Sequence, residues 1–500
     1  MKCSKVHWAT VAVALLGIVT GLLIQTLVPP KLTSYAQVLP NGKIVIDKDL
    51  IEGVERQYPS LLRHLLWLIG TGSFTQWAMP LTEESIVSAA RARSGLGPDA
   101  AFWYDAEAGE KVEGPANEAN SYMKTYWYSR LQVLLKATRE EAAPYLSAFG
   151  WFITRDTIVE SLANQMRAVD LIRKHPDILK EKIDRPIVIT GPPRTMTTHG
   201  QSILAQHPDV LYLRFTESRD PLQPENLDPK LVYTDADPRA KLLKIGRGLL
   251  WYIRPFFRYM FRTDEHDPGN SPNEDIFMSM LVFGSAVFRT QTYVPTYSKV
   301  WSEMDNKPAF RFQKIVQQII QWQERHRIGA RNKRWLMKTP EHAGFMRDLM
   351  QVYPDAFVML THRNPVPVVS SFIPMVIYTA GFWNSKIDAI KFAEYQLDSL
   401  EHILNNLVDQ VEVIPKNQIM HVPFSKFVND NYAVIEEVCR FSGLSLSPEA
   451  VNRMQKYIET SPREGANRFE YKIETFGPAF KKEALQKRFK HYMDKFQEYV

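Results

Sequence analysis

The chain has 500 residues, 45% apolar and 12% aromatic, ample for a large core; length alone suggests about three domains, although large α/β enzymes often run as one elaborated unit. Its 61 Lys and Arg are dispersed among 55 acids for a net charge of +6, which suits an anionic substrate or cofactor but lacks the dense basic stripe of a nucleic-acid binder. The only cysteines, Cys3 and Cys439, exclude a disulfide framework and a zinc site.

Trp8 to Val28 carries no charge and is rich in Val, Leu, Ala and Ile. At about 1.5 Å per residue, such a run spans a hydrocarbon core of roughly 30 Å, so 8–28 is expected to be a transmembrane helix. The alternative is a cleaved signal peptide, since Ser34-Tyr35-Ala36 is a small-x-small pattern, but Pro29-Pro30 intervenes and the run exceeds an ordinary signal core of about 7–15 residues. Lys2 and Lys5 precede the run and Lys31 follows it, which puts 1–7 in the cytosol and the bulk across the membrane. No permitted N-x-[ST] acceptor bears on this.

Residues 29–82 read as a stalk and lead-in, with Pro, Gly and turn residues around one short apolar helix, Leu61 to Ile69. From Glu83 the pattern is helical: Ile86, Ala89 and Ala90 share a face before Gly95-Leu-Gly97 stops it. Asp99 to Ala119 is loop-like, and Tyr122 to Leu146 is helical again. Ile158, Leu162, Met166, Val169 and Ile172 recur at near-helical spacing and lead through His175-Pro176 into a strand. Without internal repeats, 83–500 is expected to form one α/β domain.

That strand opens the stretch Arg185-Pro-Ile-Val-Ile-Thr190-Gly191-Pro-Pro-Arg194-Thr195-Met196-Thr197-Thr198-His199-Gly200. A β-branched run ends at Gly191, a hydroxyl-rich loop follows, and Gln201 to Gln206 is helical. A strand, loop and helix in this order catch an anion on backbone N–H groups at the helix N-terminus. It is not a nucleotidase loop, because Met196 and Thr197 stand where the second Gly and the Lys of G-x-x-x-x-G-K-[ST] would fall. A phosphate-type ligand is expected and NTP hydrolysis is not; the plain alternative is a βα turn without a ligand.

His207-Pro-Asp ends that helix, and Leu211 to Phe215 reads as a second strand. Ligands gather outside the carboxyl ends of parallel strands, which puts Glu217 near the loop. It is a candidate general base toward an acceptor hydroxyl, or else a structural partner for Arg214 or Arg219. Leu242 to Phe261 interleaves Arg247, Arg254 and Arg258 with aromatic residues, either covering a core or facing headgroups or an aromatic acceptor. His266 beyond it is a base, an acceptor-binding group or neither. Ser271-Pro-Asn-Glu-Asp275 suits a helix start before Ile276 to Phe288.

Arg334 to Lys338 and Ala356 to Thr361 read as further strands, with Thr339-Pro-Glu-His342 and a helix, Ala343 to Val352, between them. Arg363 at the second strand's carboxyl end supplies a fork suited to phosphate oxygens, and Ser371, further along the next helix, can reach the same phosphate. Ile419 to Pro423 makes a fifth strand.

Pro186-Ile-Val-Ile-Thr-Gly-Pro-Pro-Arg-Thr-Met-Thr-Thr198, Arg334-Trp-Leu-Met-Lys-Thr-Pro-Glu-His342 and Thr361-His-Arg-Asn-Pro-Val-Pro-Val-Val-Ser-Ser371 together resemble the sulfotransferase family, most closely its large bacterial-type and Golgi-type branch. Supporting similarity runs from about Ile86 to Gly477. The resemblance implies a three-layer fold with a central parallel sheet, related to P-loop kinases, with a helical N-terminal extension after the transmembrane helix. It implies transfer of a sulfuryl group from 3′-phosphoadenosine 5′-phosphosulfate (PAPS), without metal, in a Golgi or secretory-pathway lumen.

By the same resemblance, the 5′-phosphosulfate loop falls on Arg194, Thr195, Met196, Thr197 and Thr198, with Arg194 where other branches carry a catalytic Lys. The 3′-phosphate pair falls on Arg363 and Ser371, and a second phosphate of this kind separates the donor from ATP. Lys338 is similar to a cation that some branches place near the sulfuryl group, and Glu217 resembles the base of the tyrosylprotein branch. The family usually has Gly where Met196 stands, which permits positive φ; Met fits if the backbone there is ordinary helical and its side chain turns away, and otherwise weakens or abolishes binding. The acceptor, whether carbohydrate, protein, lipid or small molecule, is left open. The alternatives are a membrane-anchored, non-catalytic nucleotide binder or scaffold and, with less support, a kinase.

Overall fold

The computed structural model describes residues 36–41, 43–53, 73–98, 103–105, 110–112, 122–241, 243, 270–331, 333–460 and 469–500. The apolar run 8–28, the short helix at 61–69, nearly all of the basic aromatic stretch 242–261 and His266 lie outside them. Among the described residues no helix is long and apolar enough to cross a membrane.

The strands are β1 (Ile44–Ile46), β2 (Trp103–Asp105), β3 (Glu110–Val112), β4 (Ile187–Thr190), β5 (Val210–Tyr212), β6 (Arg334–Lys338), β7 (Phe357–His362), β8 (Ile419–Pro423) and β9 (Phe469–Tyr471). Five of them form one parallel sheet in the order β5-β6-β4-β7-β8. Alternate residues enter two different cores: Val188, Leu211, Trp335, Met337, Val358 and Leu360 lie in one, and Ile187, Ile189, Val210, Leu336, Phe357 and Met359 in the other. The sheet is therefore covered on both faces, as its uninterrupted apolar strands require.

The helices that cover it include α1 (Glu83–Ser94), α2 (Tyr122–Ala137), α3 (Ala148–Lys174), α4 (Thr197–Leu204), α5 (Phe215–Arg219), α6 (Lys307–Ile328), α7 (Pro365–Ala380), α8 (Ala389–Gln410), α9 (Asn431–Ser442) and α10 (Pro448–Thr460). Side chains of α3, α6, α7 and α8 fill the first core, while α4, α9 and α10 fill the second. Three expected boundaries move for local reasons. Strand β5 stops at Tyr212, short of the expected Phe215, because the Glu217 carboxylate accepts from the Arg214 N–H at 2.9 Å and starts α5 there. The helix expected over Tyr122 to Leu146 ends at Ala137 and widens into a turn at Thr138–Ala142, where the Thr138 hydroxyl donates to the Leu134 carbonyl at 2.7 Å. Ile276 to Phe288 is two short helices, Ile276–Met280 and Val287–Gln291, separated at Phe283, whose φ of 57° is incompatible with a continuous helix.

Within the expected stalk, β1 pairs in parallel with β9. Ile44, Val45, Ile46, Leu50 and Ile51 are buried, so this β-branched segment is part of the folded body.

In chain order the five sheet strands run second, third, first, fourth, fifth across the sheet. Strand β4 therefore lies between β6 and β7, and the loop leaving β4 starts at the switch point of the sheet, where α/β folds of this kind bind ligands.

Candidate active site

The chain leaves β4 at Gly191, with φ at 134°. A Cβ there would lie 2.3 Å from the Thr361 carbonyl oxygen and 2.5 Å from its hydroxyl, so this close approach to β7 requires glycine. Thr361 pins the loop. Its hydroxyl donates to the Thr190 carbonyl at 3.0 Å and lies 2.6 Å from the Thr195 hydroxyl, which is in turn 2.7 Å from the Pro192 carbonyl. Thr195 is fully buried, so its hydroxyl shapes the loop from inside.

Arg194 and Met196 both have positive φ, 63° and 70°. Left-handed residues alternating with others in a turn direct successive N–H groups to one side, which makes a concave anion site. Met196 is the N-cap of α4 and supplies no side-chain hydrogen bond to it, so the first-turn N–H groups are left for another acceptor. The condition set for Met196, an ordinary helical backbone, is therefore not met. A non-glycine residue in this region costs about 1–2 kcal/mol, and packing holds it there: the Met196 side chain lies against the core that contains Ile187, Ile189, Ile203 and Phe427. Thr197, the first residue of α4, is buried, and Thr198 is exposed.

A second group closes on the loop from β7. Arg363 donates through Nη1 to the Arg194 carbonyl at 2.8 Å and stacks 4.0 Å from the centroid of Phe424. Arg194 donates through Nε to Ser371 Oγ at 3.2 Å. Tyr471, on β9, is hydrogen-bonded to Ser371 and feels the Arg194 charge, although burial outweighs both and raises its pKa. Burial, and then the charge of Arg194, hold the Arg363 guanidinium below its usual value. Two guanidiniums held this close are an arrangement that a polyanion between them relieves.

The third group hangs from β6. Lys338, almost wholly buried, donates to Thr198 Oγ1 at 3.1 Å and to Glu274 Oε1 at 2.6 Å. Glu274 Oε2 accepts from the Thr339 hydroxyl at 3.2 Å, and the Thr339 carbonyl accepts from the Thr190 hydroxyl at 2.9 Å. The segment carrying Glu274 is fixed on both sides. The Asn273 carbonyl accepts from Gln201 Nε2 at 2.8 Å, and the buried Asp275 accepts from Gln313 Nε2 at 2.8 Å, from the Lys338 N–H and from His342. Burial alone would raise the Asp275 carboxyl, but His342 and the backbone N–H groups hold it below the usual range.

Arg194, Thr198, Lys338, Arg363 and Ser371 are therefore brought together, while Thr195, Met196 and Thr197 build the loop beneath them. Glu217 is not brought to the same place. It is 2% exposed and accepts from the Arg214 N–H and from the Tyr233 hydroxyl at 2.5 Å, while Arg214 also pairs with Glu324 at 2.8 Å. Of its two sequence readings, the structural partner of Arg214 is the one these contacts match. Glu274, Tyr471 and Phe424 were not marked by the sequence. Glu274 looked only like a helix-start acid, and the other two become neighbours of the loop only through the sheet and β9.

This is an α/β fold with a parallel sheet and a cationic, hydroxyl-lined crevice at its carboxyl end. The sequence model of the Sulfotransferase family matches residues 186–448, more than half of the chain and all three groups described above apart from Tyr471; the chain belongs to that family. No curated protein matches it in sequence. Among solved structures it is similar to sulfotransferase STF9 from Mycobacterium avium, with a TM-score of 0.68 at 20% identity over 83% of this chain and 97% of that one. It is also similar to sulfotransferase STF1 from Mycobacterium tuberculosis H37Rv, with a TM-score of 0.64 at 20% identity over 82% of this chain and 98% of that one. At this identity the likeness concerns the fold.

Proposed function

We propose that this protein moves a sulfuryl group from PAPS to a hydroxyl of an acceptor. Membership of the family supports sulfuryl transfer in general. The choice of donor rests on one observation: Arg363 and Ser371 are joined through Arg194 to a left-handed loop and an uncapped helix N-terminus. Such an arrangement suits a ligand with two separate anionic groups, one at the loop and one at Arg363 and Ser371.

When bound, the donor supplies an activated sulfuryl group whose leaving group is a bisphosphate. The loop N–H groups and the Arg194 guanidinium would hold its 5′-phosphosulfate, and Arg363 with Ser371 its 3′-phosphate. The Lys338 ammonium and the Thr198 hydroxyl, preorganised at 3.1 Å, neutralise oxygen charge that grows during in-line transfer. These roles need no metal. The left-handed Met196 favours one other reading, a non-catalytic binder whose loop holds the anion without transferring it. For the N-terminus we propose that the run 8–28 anchors the chain in a membrane with the catalytic domain in the secretory lumen; resistance of the full chain to alkaline carbonate extraction tests this.

Incubation of the full chain with sulfur-labelled donor and a panel of hydroxylated carbohydrates, peptides, lipids and phenols is the direct test. Label transfer that Arg194→Ala abolishes supports the enzyme; bisphosphate binding without transfer to any acceptor or to water supports the binder.

A further inference from the structure

Resting on the sulfuryl-transfer reading above, we infer that Glu274 takes the proton of the acceptor hydroxyl. Lys338 is shared between the Glu274 carboxylate at 2.6 Å and the Thr198 hydroxyl at 3.1 Å, so a single buried ammonium links the carboxylate to the anion loop. The Lys338 side chain is 2% exposed and that of Glu274 is 32% exposed. The carboxylate is thus the end of this chain that solvent, and an acceptor entering from it, can reach.

Among the described residues, three other carboxylates near these strand ends are engaged elsewhere. Glu217 is closed inside the Arg214 and Tyr233 bonds. Asp275 is buried and bonded to Gln313 and His342. Glu341 is buried and accepts from Trp301 Nε1 at 2.9 Å and from the Ala286 N–H at 3.2 Å. Glu274, by contrast, rides on a backbone held by Gln201 and by the Asp275 bonds. Its second oxygen rests on Thr339. A base needs such a fixed position and an accessible lone pair.

The step balances. The acceptor oxygen forms a bond to sulfur as its O–H bond breaks, and the proton passes to a Glu274 oxygen. The bond from sulfur to the bridging oxygen of the donor breaks, and its electron pair leaves on the bisphosphate. As the proton neutralises Glu274, the Lys338 ammonium is released toward the oxygen charge growing on the Thr198 side, so deprotonation and charge stabilisation are coupled through one side chain.

Sulfur-labelled PAPS is incubated with the full chain and with Glu274→Gln and Glu274→Asp, using phenol, 4-nitrophenol or water alone as acceptor at pH 8, and adenosine 3′,5′-bisphosphate affinity is measured by calorimetry in parallel. Glu274→Gln is expected to keep that affinity within about threefold and to lose about 100-fold or more in kcat toward phenol and water. It loses much less toward 4-nitrophenol, which is already ionised, and Glu274→Asp restores part of the loss. An equal loss for all acceptors, or a loss of bisphosphate affinity matching the loss of rate, makes Glu274 merely the counter-ion of Lys338 and overturns the inference. So does a wild type that binds bisphosphate and releases label to none of the three. A wild type that does not bind bisphosphate overturns the donor reading beneath it.

Discussion

The Arg363 guanidinium donates to the main-chain carbonyl of Arg194 at 2.8 Å, so the residue that follows β7 holds in place the loop that follows β4. Arg363 is both a candidate phosphate ligand and part of the loop's support. Hydrogen bonds to a charged group contribute about 1.5–3 kcal/mol. Arg363→Ala is therefore expected to weaken adenosine 3′,5′-bisphosphate binding by roughly 10- to 100-fold. Arg363→Lys should recover little of this, because it keeps the charge and loses the fork and the stacking on Phe424. Calorimetric titration of both variants checks the order.

Met196→Gly removes the left-handed strain and also the packing on the second core. With roughly 1–2 kcal/mol on each side, its stability should lie within about 1 kcal/mol of wild type. Met196→Ile, β-branched at a positive φ, should be the less stable of the two by about 1 kcal/mol or more. Urea unfolding curves separate these outcomes. Bisphosphate affinity should be retained in Met196→Gly, because the side chain it removes packs on the second core.

Glu217→Ala leaves a buried guanidinium and the Tyr233 hydroxyl short of a partner. Breaking a buried pair in this way costs about 3–5 kcal/mol. A large loss of thermal stability is expected, with bisphosphate affinity of the folded fraction changed by less than about threefold. A reversed pattern, normal stability with abolished transfer, would return Glu217 to the role of base.

His362 lies next to Arg363 in the chain, bonded to His421 at 2.9 Å and to the Tyr492 hydroxyl at 3.0 Å. Burial, with His421 adding to it, pushes its pKa down to about 3 from an ordinary 6.5. The unfolded chain then binds the extra proton first, so the stabilisation is fully present above pH 6.5 and is lost as pH falls toward 3. Denaturant titrations at pH 7 and pH 4.5 should show a smaller drop for His362→Gln than for wild type.

A chain begun at residue 83 lacks β1 with its buried Ile44, Val45 and Ile46, and the buried Leu50 and Ile51 of the turn of helix that follows it. It also leaves β9, which carries Tyr471 to Ser371, without its pairing partner. Each lost side chain removes up to about 1.5–3 kcal/mol of burial. The expected result is a strongly destabilised or insoluble product, and any folded fraction should bind bisphosphate more weakly than the full chain.

The central strands β4, β6 and β7 were legible because they are nearly unbroken buried apolar runs that end at Gly191, Lys338 and Arg363. Arg363 and Ser371 could be grouped because they follow one strand and lie on one helix. Contacts made by topology alone left no such trace. Glu274 reaches Lys338 across the crevice, Tyr233 seals Glu217 after a long loop, and β1 finds β9 from the opposite end of the chain. The position of Met196 was marked by the Gly that the family places there, but a residue type that disfavours positive φ left its backbone undecided.

The proposed function requires the Gly191–Thr198 loop and the Arg363–Ser371 pair to form one site for a donor with two anionic groups. Calorimetric titration of the full chain with adenosine 3′,5′-bisphosphate, without metal, tests it most directly. Saturable binding at one site is expected, weakened at least about tenfold by Arg194→Ala and by Arg363→Ala separately, with ATP competing poorly. No detectable heat at millimolar ligand, or binding indifferent to both substitutions, would contradict it.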